Sequence, residues 1–283
     1  MGFASQAVIP SAWRGGVTGR SPFVFLHGAG ADATRFLRLG GLVENRVAVD
    51  LPGHGEAPGE PLRRIEDMAE AVGRLLDHEG WERPILVGHS MGGAVALTLA
   101  LNHQHPGQAA GDGQRDLLGG AVAVPEPDRA LGGLGLLGTA TRLRVAPAFL
   151  RPLAERRLPE PFVSFLYGSA ARAADVAFEA TALGRAVLSG LLYADLAACD
   201  VFDVSSRAGE LRIPACIVTG SEDRMTPPNQ ARRLAEWFGA PELVSLELVQ
   251  GSGHYVMLER PTVTAAALNA LRGRAMLGRA SVP

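Results

Sequence analysis

A serine lies at the centre of a glycine-rich segment, "GHSMG" at 88–92, which has the spacing G-x-S-x-G. The segment follows the apolar run "PILVG" at 84–88 and precedes a helical pattern of small residues. A sharp turn between a strand and a helix holds such a serine in a strained backbone conformation, at a cost of about 1–3 kcal/mol, and exposes its hydroxyl. That placement suits a nucleophile, whereas a structural serine would gain nothing from a strained backbone and an exposed hydroxyl. We therefore predict that Ser90 is a nucleophile.

A serine hydroxyl needs a base to take its proton, and the base needs an acid to orient it. Two polar turns later in the chain supply both groups. Asp223 lies in "SEDRMTPP" after the apolar run at 215–220, and His254 lies in "QGSGHYVMLERP" after the run at 243–249. Functional sites in open α/β sheets collect at the carboxyl ends of the strands. We therefore predict that His254 is the base and Asp223 the orienting acid for Ser90.

The elements that must position these residues are short apolar runs that alternate with longer helical patterns. Continuous apolar runs are typical of parallel strands covered by helices on both faces, so the fold class is α/β with a mostly parallel sheet. The predicted strands lie at 23–27, 46–50, 84–88, 120–124, 215–220 and 243–249. Helical patterns lie at 65–80, 228–238 and 261–272.

Residues 126–205 break this alternation, because they are rich in alanine, leucine and arginine and show no convincing strand pattern. We predict that they form a helical cap inserted into a core of residues 1–125 and 206–283. The segment "GLGLLG" at 133–138 has the spacing of a dinucleotide site, but such a site directly follows a strand and begins a helix. Because "PEPDRALG" precedes it, we interpret this segment as a flexible link into the cap and expect no cofactor.

Composition argues against several classes of function. All 27 basic residues are arginine and the formal net charge is −2, so the chain lacks the basic surface of a nucleic-acid-binding protein and the lysine of Schiff-base enzymes. The two cysteines, Cys199 and Cys216, do not have the spacing of a metal site or a disulfide framework. Neither a signal peptide nor about 20 consecutive apolar residues is seen, which predicts a cytoplasmic protein without a membrane partner. The net charge and the cysteine spacing given above predict that it binds neither nucleic acid nor a metal ion.

Five segments resemble those of the α/β-hydrolase fold superfamily. They are "FLHGAG" at 25–30, "VDLPGHGEA" at 49–57, "LVGHSMGG" at 86–93, "TGSEDRMTP" at 219–227 and "GSGHYVMLERP" at 251–261. Together they span nearly all of the chain outside the predicted cap. The resemblance implies an eight-stranded, mostly parallel sheet flanked by helices, with the helical cap inserted after the sixth strand. The first two strands would then lie within residues 3–20.

The resemblance also implies roles for individual residues. The oxyanion hole would consist of the backbone N–H groups of Met91, which follows the nucleophile, and Ala29. In this superfamily the acid can instead follow the sixth strand, where Glu126 and Asp128 lie. Further acids left open are Glu222, Asp200 and Asp203. The residues expected to bind substrate are His27, Gly28, His89, Phe149, Phe162, Phe165 and Tyr167. Apolar side chains expected in the cap also include Leu134, Leu136, Leu137 and Leu150.

The residue order Ser, Asp, His favours transfer of an acyl group to water. The expected reaction is cofactor-independent hydrolysis of a small-molecule carboxylic ester, thioester or lactone with an apolar acyl or aromatic part, through an acyl-enzyme on Ser90. Two alternatives stay open: a C–C bond hydrolase or lyase with the same triad, and a small-molecule receptor on the same fold. Relatives that hydrolyse C–C bonds often carry asparagine where His89 stands, which makes that alternative weaker.

Two further features of the chain remain undecided. A homodimer is compatible with the sequence. The arginines of the predicted cap could recognise a substrate carboxylate, although a solvated helix face is the favoured interpretation. They are Arg142, Arg144, Arg151, Arg156 and Arg157.

Overall fold

The centre of the fold is a six-stranded parallel sheet, seen in a computed structural model that describes residues 6–104, 131–158 and 162–277. Its strands are β1 (Phe23–Leu26), β2 (Arg46–Val49), β3 (Ile85–His89), β4 (Gly133–Leu137), β5 (Ala215–Gly220) and β6 (Val244–Val249). Their order across the sheet is β2-β1-β3-β4-β5-β6. Every residue of the four central strands β1, β3, β4 and β5 is buried, which explains the continuous apolar runs of β1, β3 and β5.

Helices cover the sheet and also fill the segment between β4 and β5. They are α1 (Ile65–Glu79), α2 (Met91–Gln104), α3 (Pro147–Ala154), α4 (Phe162–Leu166), α5 (Ala173–Ser189), α6 (Leu191–Val201), α7 (Pro228–Trp237), α8 (Val256–Glu259) and α9 (Pro261–Leu277). Short 3₁₀ helices lie at Ser11–Trp13, Ala33–Leu39, Ala208–Glu210 and Pro241–Leu243. The predicted helix α1 ends at Glu79 and is capped by Gly80, whose φ of 73° lies in the left-handed region that favours glycine at a helix end.

The segment "GLGLLG" forms strand β4, so its interpretation as a flexible link into the cap is wrong. Gly133–Leu137 pairs in parallel with β3 on one side and β5 on the other. Glycine usually weakens a strand, but a Cβ atom on Gly135 would lie 2.8 Å from the side chain of Leu268 and 3.1 Å from that of Val87. Close packing of α9 and β3 against β4 therefore requires glycine here. Because glycine is uncommon inside strands, the sequence pattern did not indicate a strand.

Two further expectations change with β4. Leu134, Leu136 and Leu137 are buried in the central sheet and do not belong to a lid over a pocket. The strand predicted at 120–124 lies outside the described residues, as do Glu126 and Asp128. The range 126–205 thus includes a strand of the core sheet as well as helices.

The sheet has six strands in the described residues, and not the eight that the resemblance implied. Within residues 6–20, Val8 forms an isolated antiparallel bridge with Asp50, and the chain then turns into the 3₁₀ helix Ser11–Trp13. Pro10 ends the pairing after a single bridge, because proline has no N–H to donate. The two additional strands expected near the N-terminus are therefore not formed by these residues.

The helices α3 to α6 lie between β4 and β5, and we call them the cap helices. The chain leaves and rejoins the core through two adjacent segments, since the Val204 N–H donates to the Thr141 carbonyl oxygen at 2.8 Å and Arg142 forms a bridge with Asp203.

Among the described residues, no single helix is long and apolar enough to cross a bilayer. The helices α5 and α6 reach that length and hydropathy only when taken together, and the two are bent by 86° relative to each other.

A buried ion pair joins the cap helices to the core. The Arg35 guanidinium lies 3.0 Å from the Glu179 carboxylate, and their side chains are only 4% and 0% exposed. The Tyr255 hydroxyl donates a hydrogen bond of 2.7 Å to the same carboxylate. Glu179 belongs to α5, whereas Arg35 and Tyr255 belong to the core, so one carboxylate holds two core side chains.

We expect Glu179→Ala to lower the free energy of unfolding by about 3–5 kcal/mol, because it leaves the Arg35 charge buried without its partner. Urea unfolding followed by tryptophan fluorescence measures this change. Glu70→Ala is the matched control, since Glu70 pairs with Arg74 at a distance of 3.7 Å on the exposed surface of α1, where such pairs contribute about 0.5 kcal/mol or less. Equal losses in the two variants would show that burial of the Arg35 pair does not matter.

Candidate active site

Ser90 stands at a strained turn between β3 and α2. Its φ is 52°, in the left-handed region that non-glycine residues rarely adopt. The Ser90 N–H donates to the Leu137 carbonyl oxygen at 2.9 Å, and the Ser90 carbonyl oxygen accepts a bond of 2.8 Å from the Thr139 hydroxyl. These bonds tie the turn to the end of β4, so the neighbouring strand helps to hold the strained conformation. The strand-to-helix turn predicted from the sequence is present.

The glycines of the G-x-S-x-G segment are required by close backbone contacts. A Cβ atom on Gly88 would lie 2.1 Å from the Gly92 carbonyl oxygen, and one on Gly92 would lie 2.1 Å from the Leu26 carbonyl oxygen. Any side chain at either position would push helix α2 away from β3 or β1. The spacing of the segment therefore follows from the geometry of the turn.

Asp223 and His254 form a buried hydrogen-bonded pair. The distance from His254 Nδ1 to Asp223 Oδ2 is 2.9 Å, and each residue is only 3% exposed. The N–H groups of Met225 and Thr226 each donate to Asp223 Oδ1 at 2.9 Å, and the Thr226 hydroxyl donates to Oδ2 at 2.8 Å. Because a carboxylate oxygen accepts at Nδ1, neutral His254 carries its proton there and leaves Nε2 able to accept one.

The charge of Asp223 is stabilised by this surrounding. Burial alone would raise the pKa of the carboxyl group, but the facing His254 ring and the hydrogen bonds from His254 and Thr226 outweigh it and lower the pKa. Asp223 is therefore ionised at neutral pH, as an orienting acid must be.

Two contacts bring the Asp223–His254 pair to the serine turn. His89, the residue before Ser90, donates from Nε2 to the His254 carbonyl oxygen at 3.0 Å. On the other side, a Cβ atom on Gly138 would lie 3.2 Å from His254 Nδ1 and 3.3 Å from Asp223 Oδ2. Gly138 directly follows the residue that accepts the Ser90 N–H bond. The ends of β3, β4, β5 and β6 therefore meet at one place, as predicted for the carboxyl edge of the sheet.

The loop that carries His254 is also tied to the cap helices. The His254 N–H donates to the Leu166 carbonyl oxygen at 2.8 Å. One oxygen of Glu259 accepts from the Gly253 N–H at 2.9 Å, and the other accepts from the Gly168 N–H at 3.0 Å. The position of the imidazole ring therefore depends on the segment that follows α4.

The segments expected to form the oxyanion hole lie on both sides of Ser90. Met91 begins α2, and the first N–H groups of a helix have no acceptor within the helix. On the other side, a Cβ atom on Gly28 would lie 3.3 Å from Ser90 Cβ and 2.8 Å from His89 Nδ1. Ala29, the second predicted donor, follows Gly28, so the loop of residues 27–30 is in contact with the serine turn. We call residues 27–30 the oxyanion loop.

We expect Gly28→Ala to lower kcat for ester hydrolysis about 10²-fold, because the added methyl group would displace the oxyanion loop or the buried His89 ring, and displacements of about 1 Å in an active site cost this much. Steady-state kinetics with a nitrophenyl ester measures the change. Gly73→Ala in helix α1 is the control, since a Cβ atom there would lie 3.4 Å from the flexible end of the Leu99 side chain of α2. Unchanged kcat in Gly28→Ala would mean that the loop does not need its observed position.

His27 and His89, both expected to bind substrate, are buried and bonded to the backbone. His27 accepts from the Leu51 N–H at Nε2, at 3.1 Å, and donates from Nδ1 to the Gly28 carbonyl oxygen at 2.9 Å. Burial, together with the nearby His54 ring, lowers the pKa of His27 to about 3. Burial and the nearby His254 likewise lower the pKa of His89. Both rings are therefore neutral, and the bond to Gly28 shows that His27 braces the oxyanion loop.

The aromatic residues predicted to bind substrate form two groups. The Phe149 ring lies 5.5 Å from that of Phe162 and 5.6 Å from that of Phe165, joining α3 to α4. Tyr167 packs 5.4 Å from Tyr255, the residue that follows His254. Phe149 and Phe165 are half-buried, whereas Phe162 and Tyr167 are buried. The half-buried pair is thus the part of this set with surface left for a ligand.

The alternative acids left open by the sequence have other partners. Glu222 accepts from the N–H and the hydroxyl of Ser169, both at 2.7 Å. Asp200 accepts from the Val145 N–H, and Asp203 from the Ser205 N–H. Asp223 is thus the acid among these described residues that bonds to His254.

The cap arginines bind acceptors of the protein itself. Arg151 and Arg157 lie 3.8 and 3.1 Å from Glu155 on an exposed surface. Arg142 pairs with Asp203. Backbone carbonyl oxygens accept from the other two, with Arg144 bonded to Asp200 and Arg156 bonded to Leu188. These contacts fit a solvated face better than a site for a substrate carboxylate.

Sequence reasoning missed several residues that shape the site. Thr226 bonds to Asp223, Thr139 bonds to the Ser90 carbonyl oxygen, and Tyr255 packs 5.0 Å from His89. The position of Thr226, three residues after the acid, is the kind of spacing at which a side chain caps its own turn. Thr139 and Tyr255 carried no such local signal. Within the described residues, no group of three or more His, Cys, Asp or Glu side chains is arranged to hold a metal ion.

A comparison with protein-family models matches residues 23–267 to the alpha/beta hydrolase family. The chain belongs to the alpha/beta hydrolase family. The match covers every strand described above and both polar turns that carry Asp223 and His254.

Similar proteins of known sequence or structure include hydrolases of the same size. A putative carbamate hydrolase RutD from Caulobacter sp. (strain K31) is 26% identical, over 92% of this chain and 94% of its own length. The solved structure of a thermophilic esterase superposes with a TM-score of 0.69 and 25% identity, covering 91% of this chain and 92% of that one.

A longer relative shares only part of its length with this chain. The dihydrolipoyllysine-residue acetyltransferase component of the acetoin cleaving system of Pseudomonas putida is 31% identical over 257 residues. That alignment covers 86% of this chain but only 61% of the relative. The activity of that whole protein therefore does not transfer to this chain.

Proposed function

We propose that this chain is a cofactor-independent serine hydrolase that cleaves a small-molecule carboxylic ester, thioester or lactone. Ser90 is the nucleophile, His254 the general base and Asp223 the orienting acid. The observation that carries the proposal is the buried bond of 2.9 Å between Asp223 and His254, beside a serine turn with a φ of 52°. A solvated structural serine would not need such a turn, and the bond from Asp223 to Nδ1 leaves His254 Nε2 as the atom able to accept the serine proton.

In the first half of the reaction, Ser90 Oγ attacks the carbonyl carbon while His254 Nε2 takes its proton. The carbonyl oxygen becomes negatively charged, and the N–H groups of Met91 and Ala29 stabilise that charge. The bond from carbon to the leaving oxygen or sulfur then breaks, and His254 returns the proton to the leaving group. Asp223 stabilises the imidazolium that forms in between. The product is an alcohol or thiol, and the acyl group stays on Ser90.

In the second half, water takes the place of the serine hydroxyl. His254 removes a proton from water, the resulting oxygen attacks the acyl carbon, and the bond to Ser90 Oγ breaks with return of the proton to Oγ. The free acid leaves and the enzyme is restored. For a lactone, both steps act on one molecule, and the product is a single hydroxy acid.

The half-buried rings of Phe149 and Phe165 support a substrate with an apolar acyl or aromatic part, because binding pockets are mostly lined by apolar and aromatic side chains. The similarity to a thermophilic esterase and to a putative carbamate hydrolase supports ester and carbamate substrates as the first to test. We also propose that the protein acts in the cytoplasm on a soluble substrate.

The test is a panel of nitrophenyl esters with acyl chains of two to ten carbons, together with thioesters, lactones and carbamates. We expect steady turnover, preceded by a burst of nitrophenol at enzyme concentration for any ester whose deacylation is slower than its acylation. A fluorophosphonate probe should attach to the peptide that contains Ser90, as shown by mass spectrometry. Labelling of Ser90 without turnover of any acyl compound would favour C–C bond or lyase chemistry. Tight retention of a ligand without labelling or turnover would favour a receptor.

A further inference from the structure

We propose that Asp195, from cap helix α6, and His54, from the core, form a positioning pair that fixes the oxyanion loop. This inference rests on the proposed function, because it assigns the pair a role in stabilising the charged carbonyl oxygen. Asp195 and His54 do not touch the reacting atoms. They act through the backbone of Gly30 and hold the peptide groups on either side of Ala29.

The Asp195 carboxylate binds two groups from the core. Its Oδ2 atom accepts from the Gly30 N–H at 2.7 Å and lies 2.8 Å from His54 Nε2. The side chains of Asp195 and His54 are both fully buried. Burying a carboxylate costs free energy unless the carboxylate is paired and hydrogen-bonded, so Asp195 depends on its contacts with Gly30 and His54. It stands 165 residues from Gly30 in the chain, and the contact exists only when α6 is docked on the core.

His54 must be positively charged to make its two contacts. Its Nδ1 lies 3.0 Å from the Pro52 carbonyl oxygen and its Nε2 faces the Asp195 carboxylate, and both of these partners can only accept. Burial opposes the charge, but the Asp195 carboxylate and the hydrogen bonds outweigh it and raise the pKa of His54. The pair is therefore a salt bridge directly under the oxyanion loop.

The positions of two peptide groups follow from these bonds. His27 donates to the Gly28 carbonyl oxygen at 2.9 Å, and in a trans peptide the Ala29 N–H points opposite to that oxygen. Asp195 fixes the next peptide group through the Gly30 N–H. Ala29 thus lies between two anchored peptide planes, and its own N–H is the proposed donor to the charged oxygen. The His27 and His54 rings lie 4.7 Å apart, so the two anchors are in contact.

The cap helices also restrict Gly30 sterically. Its φ is 66°, and a Cβ atom there would lie 2.9 Å from Leu192 of α6 and 3.3 Å from Ala186 of α5. The oxyanion loop is therefore enclosed between the core and the cap helices. This arrangement makes the cap a part of the machinery that stabilises the transition state, in addition to any contact it makes with substrate.

The test compares Asp195→Asn with Asp175→Asn in the full-length protein. Asp175 is also a cap carboxylate paired with a core arginine, Arg38, but its side chain has no bond to the oxyanion loop. We expect Asp195→Asn to lower kcat about 10²- to 10³-fold, the usual effect of losing an oxyanion donor, with KM changed less than threefold. Asp175→Asn should keep kcat within threefold of the wild type.

A second measurement separates positioning from general loss of structure. A trifluoromethyl ketone binds serine hydrolases as an anionic hemiketal, so its affinity should fall by the same factor as kcat in Asp195→Asn, and the affinity for an uncharged amide analogue should not. His54→Gln should act in the same direction. If Asp195 and His54 act as a unit, the double variant should lose no more than the single variants.

The inference is overturned if Asp195→Asn folds and keeps the wild-type kcat and ketone affinity. It is also overturned if the ketone and the amide analogue lose affinity equally. If Asp195→Asn does not fold, His54→Gln carries the same test. Failure of the proposed function looks different, because the wild type itself would then turn over no acyl compound, with or without fluorophosphonate labelling.

Discussion

Ser90→Ala is expected to lower kcat for ester hydrolysis about 10⁶-fold and to abolish fluorophosphonate labelling, while the ester still binds. The loss is this large because no other group can form the acyl-enzyme, and the oxyanion donors and binding alone leave only a residual rate. The free energy of unfolding should change little in this variant. Alanine lacks the hydroxyl but can keep the same backbone conformation, so we expect a change of less than about 1 kcal/mol.

The measurement is single-turnover and steady-state kinetics with the best ester of the panel, with circular dichroism and urea unfolding on the same samples. Ser189→Ala is the matched control, since Ser189 is an exposed serine whose hydroxyl bonds to the backbone at the end of α5. It should keep wild-type kinetics. If Ser90→Ala retained more than about one hundredth of the wild-type kcat, another nucleophile would have to be sought.

Asp223→Asn is expected to lower kcat about 10⁴-fold, a smaller loss than that of the serine. The amide can present an N–H to His254 Nδ1, which favours the tautomer with its proton on Nε2 and removes the acceptor that Ser90 needs. The loss of the carboxylate also removes the charge that stabilises the imidazolium. Kinetics with the same ester and the rate of fluorophosphonate labelling should fall together, since both need the deprotonated serine.

The neighbouring acid provides the control for this prediction. Glu222→Gln removes a carboxylate that bonds to Ser169, and we expect its kcat to stay within about threefold of the wild type. The sequence favoured Asp223 but left Glu222 open, and the pair of variants separates these two adjacent acids directly. A loss of 10⁴ in Glu222→Gln with little change in Asp223→Asn would reverse the assignment.

Local patterns predicted the parts of the fold that depend on local chemistry. The turn around Ser90 requires glycine two positions before and after it, and this requirement is written in the chain as G-x-S-x-G. Strands β1, β2, β3 and β5 carry mostly apolar runs because nearly all of their residues are buried, whereas the edge strand β6 mixes apolar and polar residues and is partly exposed. The polar turns with Asp223 and His254 follow their strands directly, so their placement at one edge of the sheet could be predicted.

The parts that were missed depend on contacts between distant residues. Strand β4 contains glycines because α9 and β3 pack tightly against it, and glycine in a sequence is otherwise a signal against a strand. Asp195 meets His54 across 141 residues, with no spacing that could have pointed to the pair. The absence of the two N-terminal strands in residues 6–20 depends on a single proline that ends pairing after one bridge.

The two acids on the cap helices have a consequence for selectivity. Glu179 and Asp195 complete ion pairs whose partners, Arg35 and His54, belong to the core. Moving α5 and α6 away from the sheet would separate both ion pairs and break the bonds from the Gly30 N–H to Asp195 and from the Tyr255 hydroxyl to Glu179. We therefore expect these helices to stay docked during the proposed reaction and not to open as a hinged cover. In that case acyl groups would be discriminated by their fit to a preset shape, and a poorly fitting substrate could not gain from closure around it.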